Sequence, residues 1–342
     1  MQTVRIFVGS VSSDTKNAVL SNLAKSGQAS GLDCNIVAEK RYVPCDVAVV
    51  WGQPKVTRRS GTKASGEHLF RSEVFARHAG PVVIIDAPLL GRKVPMYRRR
   101  HWLFRKLVPR HALAHRLFPS WQSAKEDFSE FRVGVGGALG DNGGLALAPF
   151  AHGRYRLLEQ RLDLPPLKSY RKTGKNVIVI GQVPGDASLR GLDVNQWIVK
   201  TSSRLLQLTD RSICVRPHPG AGASNPKLME ALKGMGVMIE DASRPLGTSL
   251  EDAWAVVTCC SGAAIDALMA GVPAIASSSA SFAWDVTDHN LEQVVAPTEF
   301  PREQWLDRLA AAQWSRAEID SGAIWPPLLM ACDAARLSRT AA

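Results

Sequence analysis

Three polar loops in the second half of the chain carry residue types suited to binding a phosphorylated ligand. Each loop follows a short, continuous apolar run of the kind that forms a buried parallel strand. Because the carboxyl ends of parallel strands share one edge of a sheet, where open α/β sheets bind ligands, we expect the loops to meet. Their polar residues are Gln182, Asp186 and Ser188 in the first loop, Arg216 and His218 in the second, and Ser261, Gly262 and Asp266 in and after the third.

The residue types in these loops favour a nucleotide. Arg216 and His218, each followed by a proline, carry groups that can meet a pyrophosphate. Ser261 and Gly262 precede a predicted helix, whose free N–H groups and dipole favour a phosphate. Each signal also has a plain structural alternative, since His-Pro is common in turns, Ser-Gly is a common helix cap, and Asp186 can bond to its own backbone. Three such loops in consecutive sheet order favour the nucleotide pocket.

Other site chemistries lack their residue patterns here. The sequence contains no Ser-His-Asp elbow, no HExxH pair and no acidic triplet with two-metal spacing. The six cysteines are scattered without a CxxC or CxxH partner, so we expect buried, reduced thiols and no zinc knuckle. We therefore predict neither a metal site nor a bound cofactor.

Strands and helices alternate in both halves of the chain, as they do in open α/β folds. Apolar runs predict strands at residues 4–8, 47–51, 82–86, 176–181, 213–216, 237–239, 255–258 and 272–275. Amphipathic runs predict helices at residues 14–24, 67–77, 194–208, 226–235 and 262–270. A glycine cluster over residues 131–144 matches no phosphate-binding spacing, and we expect it to form a loop.

Length and composition suit two ordinary domains. The 342 residues are 45% hydrophobic, which excludes disordered and collagen-like chains and allows a sizeable core. A proline-containing basic segment at residues 166–175 predicts a linker between a domain over 1–165 and one over 176–342. The apolar runs are too short to span a membrane and the first ten residues lack the order of a signal peptide, which predicts a soluble, cytoplasmic protein.

Positive charge is concentrated in the first half. Residues 1–170 contain 26 Lys and Arg against 13 Asp and Glu, whereas residues 171–342 contain 16 against 18. A basic stretch with interleaved aromatic residues attracts a polyanion such as DNA, although a solvated basic segment or an anionic membrane surface is an alternative. The predicted acceptor-binding residues in this stretch are Arg92, Arg98, Arg99, Arg100, Arg105 and Lys106.

The second half, over about residues 176–276, resembles the nucleotide-sugar domain of GT-B glycosyltransferases, in particular the capsule-polysaccharide family that includes bacterial Kdo transferases. The resemblance lies in the three loops and in the run AAIDALMAGVPAI, with its small-residue helix and Gly-x-Pro turn. The chain has Asp266 where that family carries glutamate, and Arg216 where it carries lysine. A second resemblance, to phage-encoded glycosyltransferase-like proteins, lies in Trp305, Gln313, Trp314, Glu318, Ser321, Gly322 and Trp325.

The resemblance implies a GT-B-like fold, with two Rossmann-type doubly wound domains facing a cleft. It also implies that the second domain binds a nucleotide sugar as co-substrate and the first binds the acceptor. Arg216, His218 and the helix start at Ser261 would then stabilise the leaving group without a metal.

The general base is expected from the first domain. Asp86, at the carboxyl end of a predicted strand, is the best placed by sequence, with Asp14 and Asp141 as rivals. An ion pair with Arg92 or a capping role is the structural alternative for Asp86.

These features predict a glycosyltransferase acting on a hydroxyl of an anionic acceptor. The resemblance to phage-encoded proteins implies a hydroxymethylated pyrimidine in phage DNA as the leading acceptor, and the basic first half suits it because reaching a base in a duplex demands phosphate contacts. The alternatives are a capsule or lipopolysaccharide glycosyltransferase, or a nucleic-acid-binding GT-B protein without catalysis.

Overall fold

Two β-sheets with flanking helices make up the computed structural model, which describes residues 2–11, 14–54, 66–91, 129–135, 153–218, 225–242 and 244–340. The strands are β1 (Thr3–Phe7), β2 (Asp33–Val37), β3 (Val47–Trp51), β4 (Val82–Asp86), β5 (Glu130–Val135), β6 (Asn176–Ile180), β7 (Ser212–Arg216), β8 (Met238–Ile239), β9 (Ala253–Thr258), β10 (Ala274–Ala276) and β11 (Gln313–Ser315). The helices are α1 (Asp14–Ala29), α2 (Gly66–Arg77), α3 (Arg154–Leu162), α4 (Val194–Leu208), α5 (Pro226–Gly234), α6 (Leu246–Leu250), α7 (Ala263–Met269), α8 (Glu303–Ala311), α9 (Arg316–Asp320) and α10 (Trp325–Thr340).

The first sheet has the order β2-β1-β3-β4-β5-β11. The strands from β2 to β4 are parallel, whereas β5 runs antiparallel to β4 and β11 antiparallel to β5. The 2-1-3-4 order of the parallel strands is one of the two common doubly wound orders. In this register Arg132 of β5 lies opposite Asp86, at the carboxyl end of β4.

The second sheet is parallel throughout, in the order β8-β7-β6-β9-β10. Its central strands are almost entirely buried and rich in Val and Ile, which suits a sheet covered on both faces. The strand order reverses between β6 and β9, so the ligand-binding switch point lies there. The predicted fold class, α/β with two Rossmann-type doubly wound domains, is confirmed.

The elements β11, α9 and α10 leave the second sheet and pack on the first, whereas the sequence analysis places their residues in the domain over 176–342. β11 extends the first sheet, and α10 covers its core with Trp325 and Leu328. The Trp325 indole nitrogen donates to Ser26 Oγ of α1 at 3.1 Å. This return has a physical reason, because α1 alone leaves part of one apolar sheet face uncovered.

Two further predictions differ from the structure. Residues 130–135, expected within a glycine-rich loop, form β5, because their apolar side chains bury against β4 and β11. Residues 154–162, which fall within the predicted first domain, form α3 and pack on the second, where Leu158 is fully buried in the same core as Leu309.

The predicted linker over residues 166–175 is docked on the second domain. Lys168 N donates to Met269 O at 3.1 Å, and Arg171 N donates to Gly271 O at 2.8 Å. Tyr170 lies under the Arg302 guanidinium, 3.8 Å from the ring centroid to the guanidinium carbon. The segment therefore has a fixed path beside the Gly-x-Pro turn.

All six cysteines are free, as predicted, and five of them are buried. Burial raises the pKa of Cys34 and of Cys332 to about 12. These two thiols are therefore protonated and poorly nucleophilic near neutral pH.

Candidate functional site

Gln182 joins two of the predicted loops across the switch point of the second sheet. The side chain is 8% exposed and lies two residues beyond the end of β6. Its Oε1 accepts a hydrogen bond from Cys260 N at 3.0 Å, just beyond β9. Its Nε2 donates to Ser188 Oγ at 3.2 Å. One amide thus fixes the loops after β6 and β9 against each other, as the parallel order predicts.

Asp186 positions Ser188 within the first loop. Asp186 Oδ1 accepts from Ser188 N at 2.9 Å and from Ser188 Oγ at 2.6 Å. This bonding caps a single 3-10 turn at Ala187–Leu189, so the structural alternative for Asp186 is realised. The carboxylate also orients the Ser188 hydroxyl, whose oxygen accepts from Gln182.

The third loop presents open backbone beside the switch point. Ser261 N donates to Thr258 Oγ1 at 3.0 Å, and Ser261 Oγ accepts from Ala263 N at 3.3 Å. Among the residues that the structure describes, apart from the chain neighbours of Gly262 and the backbone of its own helix, none has an atom within 4 Å of the place where a β-carbon on Gly262 would sit. The backbone at Gly262 therefore borders free space. Asp266 lies on the exposed face of α7.

The structure places the Arg216 guanidinium away from the predicted pocket. Arg216 is 6% exposed, and its Nη1 donates to Glu240 Oε2 at 3.0 Å and to Ser249 Oγ at 2.8 Å. Its Nη2 donates to Arg244 O. These three acceptors hold the guanidinium inside a buried network. Sequence reasoning misses this because Glu240 and Ser249 are distant in the chain and carry no pattern of their own.

His218 lies beside the first loop. Gly181 N, next to Gln182, donates to Arg216 O at 2.9 Å. A β-carbon on Gly181 would lie 3.4 Å from His218 N. The second loop is therefore adjacent to the first, and the half-buried His218 stands at the same sheet edge.

Cys260 belongs to this site, although no sequence motif singles it out. Its thiol donates to Ser188 O at 3.4 Å. A hydrogen bond with the Cys259 thiol lowers the pKa of Cys260, and burial opposes this effect. The same hydrogen bond and burial raise the pKa of Cys259. The loop after β9 is thus tied to the first loop through both backbone and side chain.

Asp86 stands at the carboxyl edge of the first sheet, as predicted. Its Oδ1 accepts from Ala87 N at 2.8 Å, and its Oδ2 accepts from Arg132 Nη2 at 3.1 Å. The ion-pair alternative is therefore realised with Arg132. The Asp86 side chain remains 36% exposed, which leaves it accessible to a ligand.

The loop after Asp86 is fixed by Gln313 of the returning tail. Gln313 is fully buried, and its Oε1 accepts from Leu89 N at 3.0 Å and from Leu90 N at 2.9 Å. Its Nε2 donates to Leu90 O at 3.1 Å. A residue 223 positions from Leu90 thereby sets the path of the chain beyond Asp86.

The carboxyl edges of the two sheets approach each other at Arg132. Its guanidinium carbon lies 4.9 Å from the centroid of the Phe282 ring, in the loop that follows β10. Arg132 also pairs with Asp86 of the first sheet. One guanidinium therefore contacts both Asp86 and Phe282. The resemblance to GT-B glycosyltransferases implies that two doubly wound domains face each other in this way.

Several predicted residues lie outside the described part of the chain. For Asp14 the structure gives only the backbone, which begins α1. Outside the described residues altogether are Asp141, Arg92, Arg98, Arg99, Arg100, Arg105 and Lys106.

Neither a metal-ligand group nor a spanning helix was found in the described ranges. No three or more His, Cys, Asp and Glu side chains there are grouped closely enough to hold a metal ion. No helix in the same ranges combines the length and the apolar character needed to cross a membrane.

No family model and no curated protein matches this chain. Among solved structures it is similar to Thermosulfurimonas dismutans KpsC, beta Kdo 2,4 transferase, at 15% identity over 91% of this chain and 90% of that one, with a TM-score of 0.49. It is similar to the beta Kdo 2,7 transferase of the same KpsC at 14% identity, over 94% and 98%, with a TM-score of 0.46. The S. aureus MnaA-UDP co-structure gives 10% identity over 91% of each chain, with a TM-score of 0.29.

Proposed function

We propose that this protein is a glycosyltransferase that moves a sugar from a nucleotide-activated donor to a hydroxyl group of an anionic acceptor. The Gln182 bridge carries the proposal. It joins the loops after β6 and β9 at the switch point of a parallel sheet, the place where such sheets bind nucleotides. The carboxylate of Asp86, on the facing edge, supplies the proton acceptor that transfer to a hydroxyl requires.

The two sheet edges have different roles, donor binding on the second domain and proton transfer on the first. On the second domain, Ser188 and the backbone at Ser261 and Gly262 bind the donor phosphates, with Gln182 and Asp186 positioning them. His218 stabilises the charge that develops on the departing nucleotide, so that no metal is required.

On the first domain, Asp86 takes the proton from the acceptor hydroxyl as that oxygen attacks the anomeric carbon. The bond from sugar to nucleotide phosphate breaks, and the nucleotide leaves with the electron pair.

Replacing His218 with Ala should lower turnover or donor affinity by about tenfold or more, because a charge-assisted contact to the leaving phosphate is lost. Donor affinity is measured by titration with uridine, cytidine, guanosine and adenosine mono- and diphosphates. Turnover is measured as donor hydrolysis or sugar transfer, with and without a metal chelator. The matched control is His289→Ala, an exposed histidine of the same domain that stacks on Trp284. Unchanged binding and turnover in the His218 variant would remove this residue from the site.

For the acceptor we propose DNA that carries a hydroxymethylated pyrimidine. The support is the charge of the first 170 residues, 26 Lys and Arg against 13 Asp and Glu. A capsule or lipopolysaccharide glycan is the second candidate, because such acceptors are also anionic. A protein that binds nucleic acid without catalysis would neither retain a nucleotide on purification nor turn one over.

DNA binding should be strongly salt-dependent and largely independent of base sequence. About five phosphate contacts give a slope near −4.5 when log affinity is plotted against log salt. Changing Arg98, Arg99 and Arg100 to Gln should flatten the slope and weaken DNA binding, while nucleotide affinity stays unchanged. A wild-type protein without DNA affinity at about 50 mM salt, or a triple variant with the same slope, would favour the glycan acceptor.

A further inference from the structure

Arg71 of α2 carries a nearly buried positive charge at the carboxyl edge of the first sheet. The residue is 9% exposed. Its Nη1 donates to Gln53 O at 3.1 Å, and its Nε donates to Glu67 O at 3.3 Å. Among the residues that the structure describes, no carboxylate lies within ion-pair distance of this guanidinium. Its hydrogen-bond acceptors are therefore neutral carbonyl oxygens.

The backbone at Gly52 lets this guanidinium lie over the strand ends. Gly52 follows β3 with a φ of +71°, and a β-carbon there would stand 2.8 Å from Arg71 Nη1. Gly52 N donates to Ile85 O at 2.7 Å, which holds the end of β3 beside the end of β4. Asp86 is the next residue of β4, so Arg71 and Asp86 share one edge.

Arg71 and Arg132 both lie at the strand-end edge that carries Asp86, and only Arg132 pairs with it directly. Arg132, 6% exposed, bonds it at 3.1 Å. Burial lowers the pKa of Arg71, whereas attraction to Asp86 and to Glu67 raises it. Since arginine stays charged in proteins, the Arg71 guanidinium is a nearly buried positive charge whose hydrogen bonds in the described part of the chain go to carbonyl oxygens alone. Burying such a charge is costly unless an anion compensates it.

We propose that Arg71 and Arg132 bind an oxyanion of the acceptor, a phosphate or a carboxylate, beside Asp86. The planar guanidinium fork matches the geometry of both groups. An anion held there would fix the acceptor with a neighbouring hydroxyl within reach of the Asp86 carboxylate. The description of the bound molecule as an acceptor rests on the proposed function, whereas the anion site itself rests on the charges at this edge.

The probes are inorganic phosphate and acetate, titrated into the full chain and followed by the backbone amide signals of Gly52 and Ala87. We expect saturable shifts of both signals, and the anion that binds more tightly indicates which group the acceptor carries. Arg71→Gln should weaken this binding by at least about tenfold, the loss expected for a charge-assisted hydrogen bond. The matched control is Arg77→Gln on the same helix, where Arg77 is 57% exposed and pairs with Glu73.

If the Gln variant does not fold, Arg71→Lys replaces it, since lysine keeps the charge and loses the fork. The inference is overturned if neither anion shifts these signals in the wild type, or if the folded Arg71 variants bind as the wild type does. Nucleotide binding, followed at the Cys260 amide, reports separately on the second domain. Anion binding at Gly52 without nucleotide binding at Cys260 would refute the proposed function and support the anion site.

Discussion

Asp86→Asn should lower glycosyl transfer by about 10²–10⁴-fold, the usual contribution of a general base, while nucleotide binding stays unchanged. The amide keeps the size of the carboxylate and an oxygen to accept from Ala87 N, but it cannot take up a proton. The donor loops lie on the other sheet, and in the described part of the chain the Asp86 carboxylate bonds only Ala87 N and Arg132. Transfer and nucleotide binding are measured on the same preparation.

Asp86→Asn also removes the ion pair with Arg132. A control must therefore remove a similar ion pair at a position away from the site. Asp33→Asn does so, because Asp33 pairs with Arg5 at 3.1 Å and is 32% exposed, against 3.1 Å and 36% for Asp86. Asp33 begins β2, at the amino end of the strand. This control should keep full activity. Substantial activity in the Asp86 variant, together with loss in Asp14 or Asp141 variants, would reassign the base.

Local patterns predicted individual elements in both domains. β3, β4 and α4 have the predicted bounds, because continuous β-branched runs and a capped amphipathic stretch leave few alternatives. Asp193, for example, accepts from Asn195 N and Gln196 N at the start of α4. The meeting of Gln182 with the loop after β9 also followed from sequence, because parallel order alone dictates it.

What sequence could not predict depends on partners that are far apart in the chain. The tail returns to the first sheet because of an apolar face that only the assembled sheet presents. Arg216 turns inward because Glu240 and Ser249 lie behind its strand. From its sequence context Arg71 resembles an exposed helix arginine. Its burial at the edge that carries Asp86 is visible only once Gly52 is placed beside it. Side-chain direction at a strand end or on a helix is set by such contacts, which a single sequence does not reveal.

Gly271→Ala should lower the free energy of unfolding by about 3–5 kcal/mol, from backbone strain and overpacking together. Gly271 has a φ of +74°, which residues with a β-carbon rarely adopt. That β-carbon would lie 2.1 Å from Ser169 O, in the segment docked beside the turn. The main-chain bond from Arg171 N to Gly271 O leaves the segment little room to move away. The loss is measured by urea unfolding of the full chain.

Two further glycines separate the causes of this loss. Gly236 has a φ of +72° but open space around the position of a β-carbon, so Gly236→Ala should cost only the backbone strain, about 1–2 kcal/mol. Gly234, the last residue of α5, has the same open space without a positive φ. Gly234→Ala should therefore be neutral or stabilising by up to about 1 kcal/mol. If Gly271→Ala costs no more than Gly236→Ala, the segment that contains Ser169 moves away from the new β-carbon, and it is not held firmly against the turn.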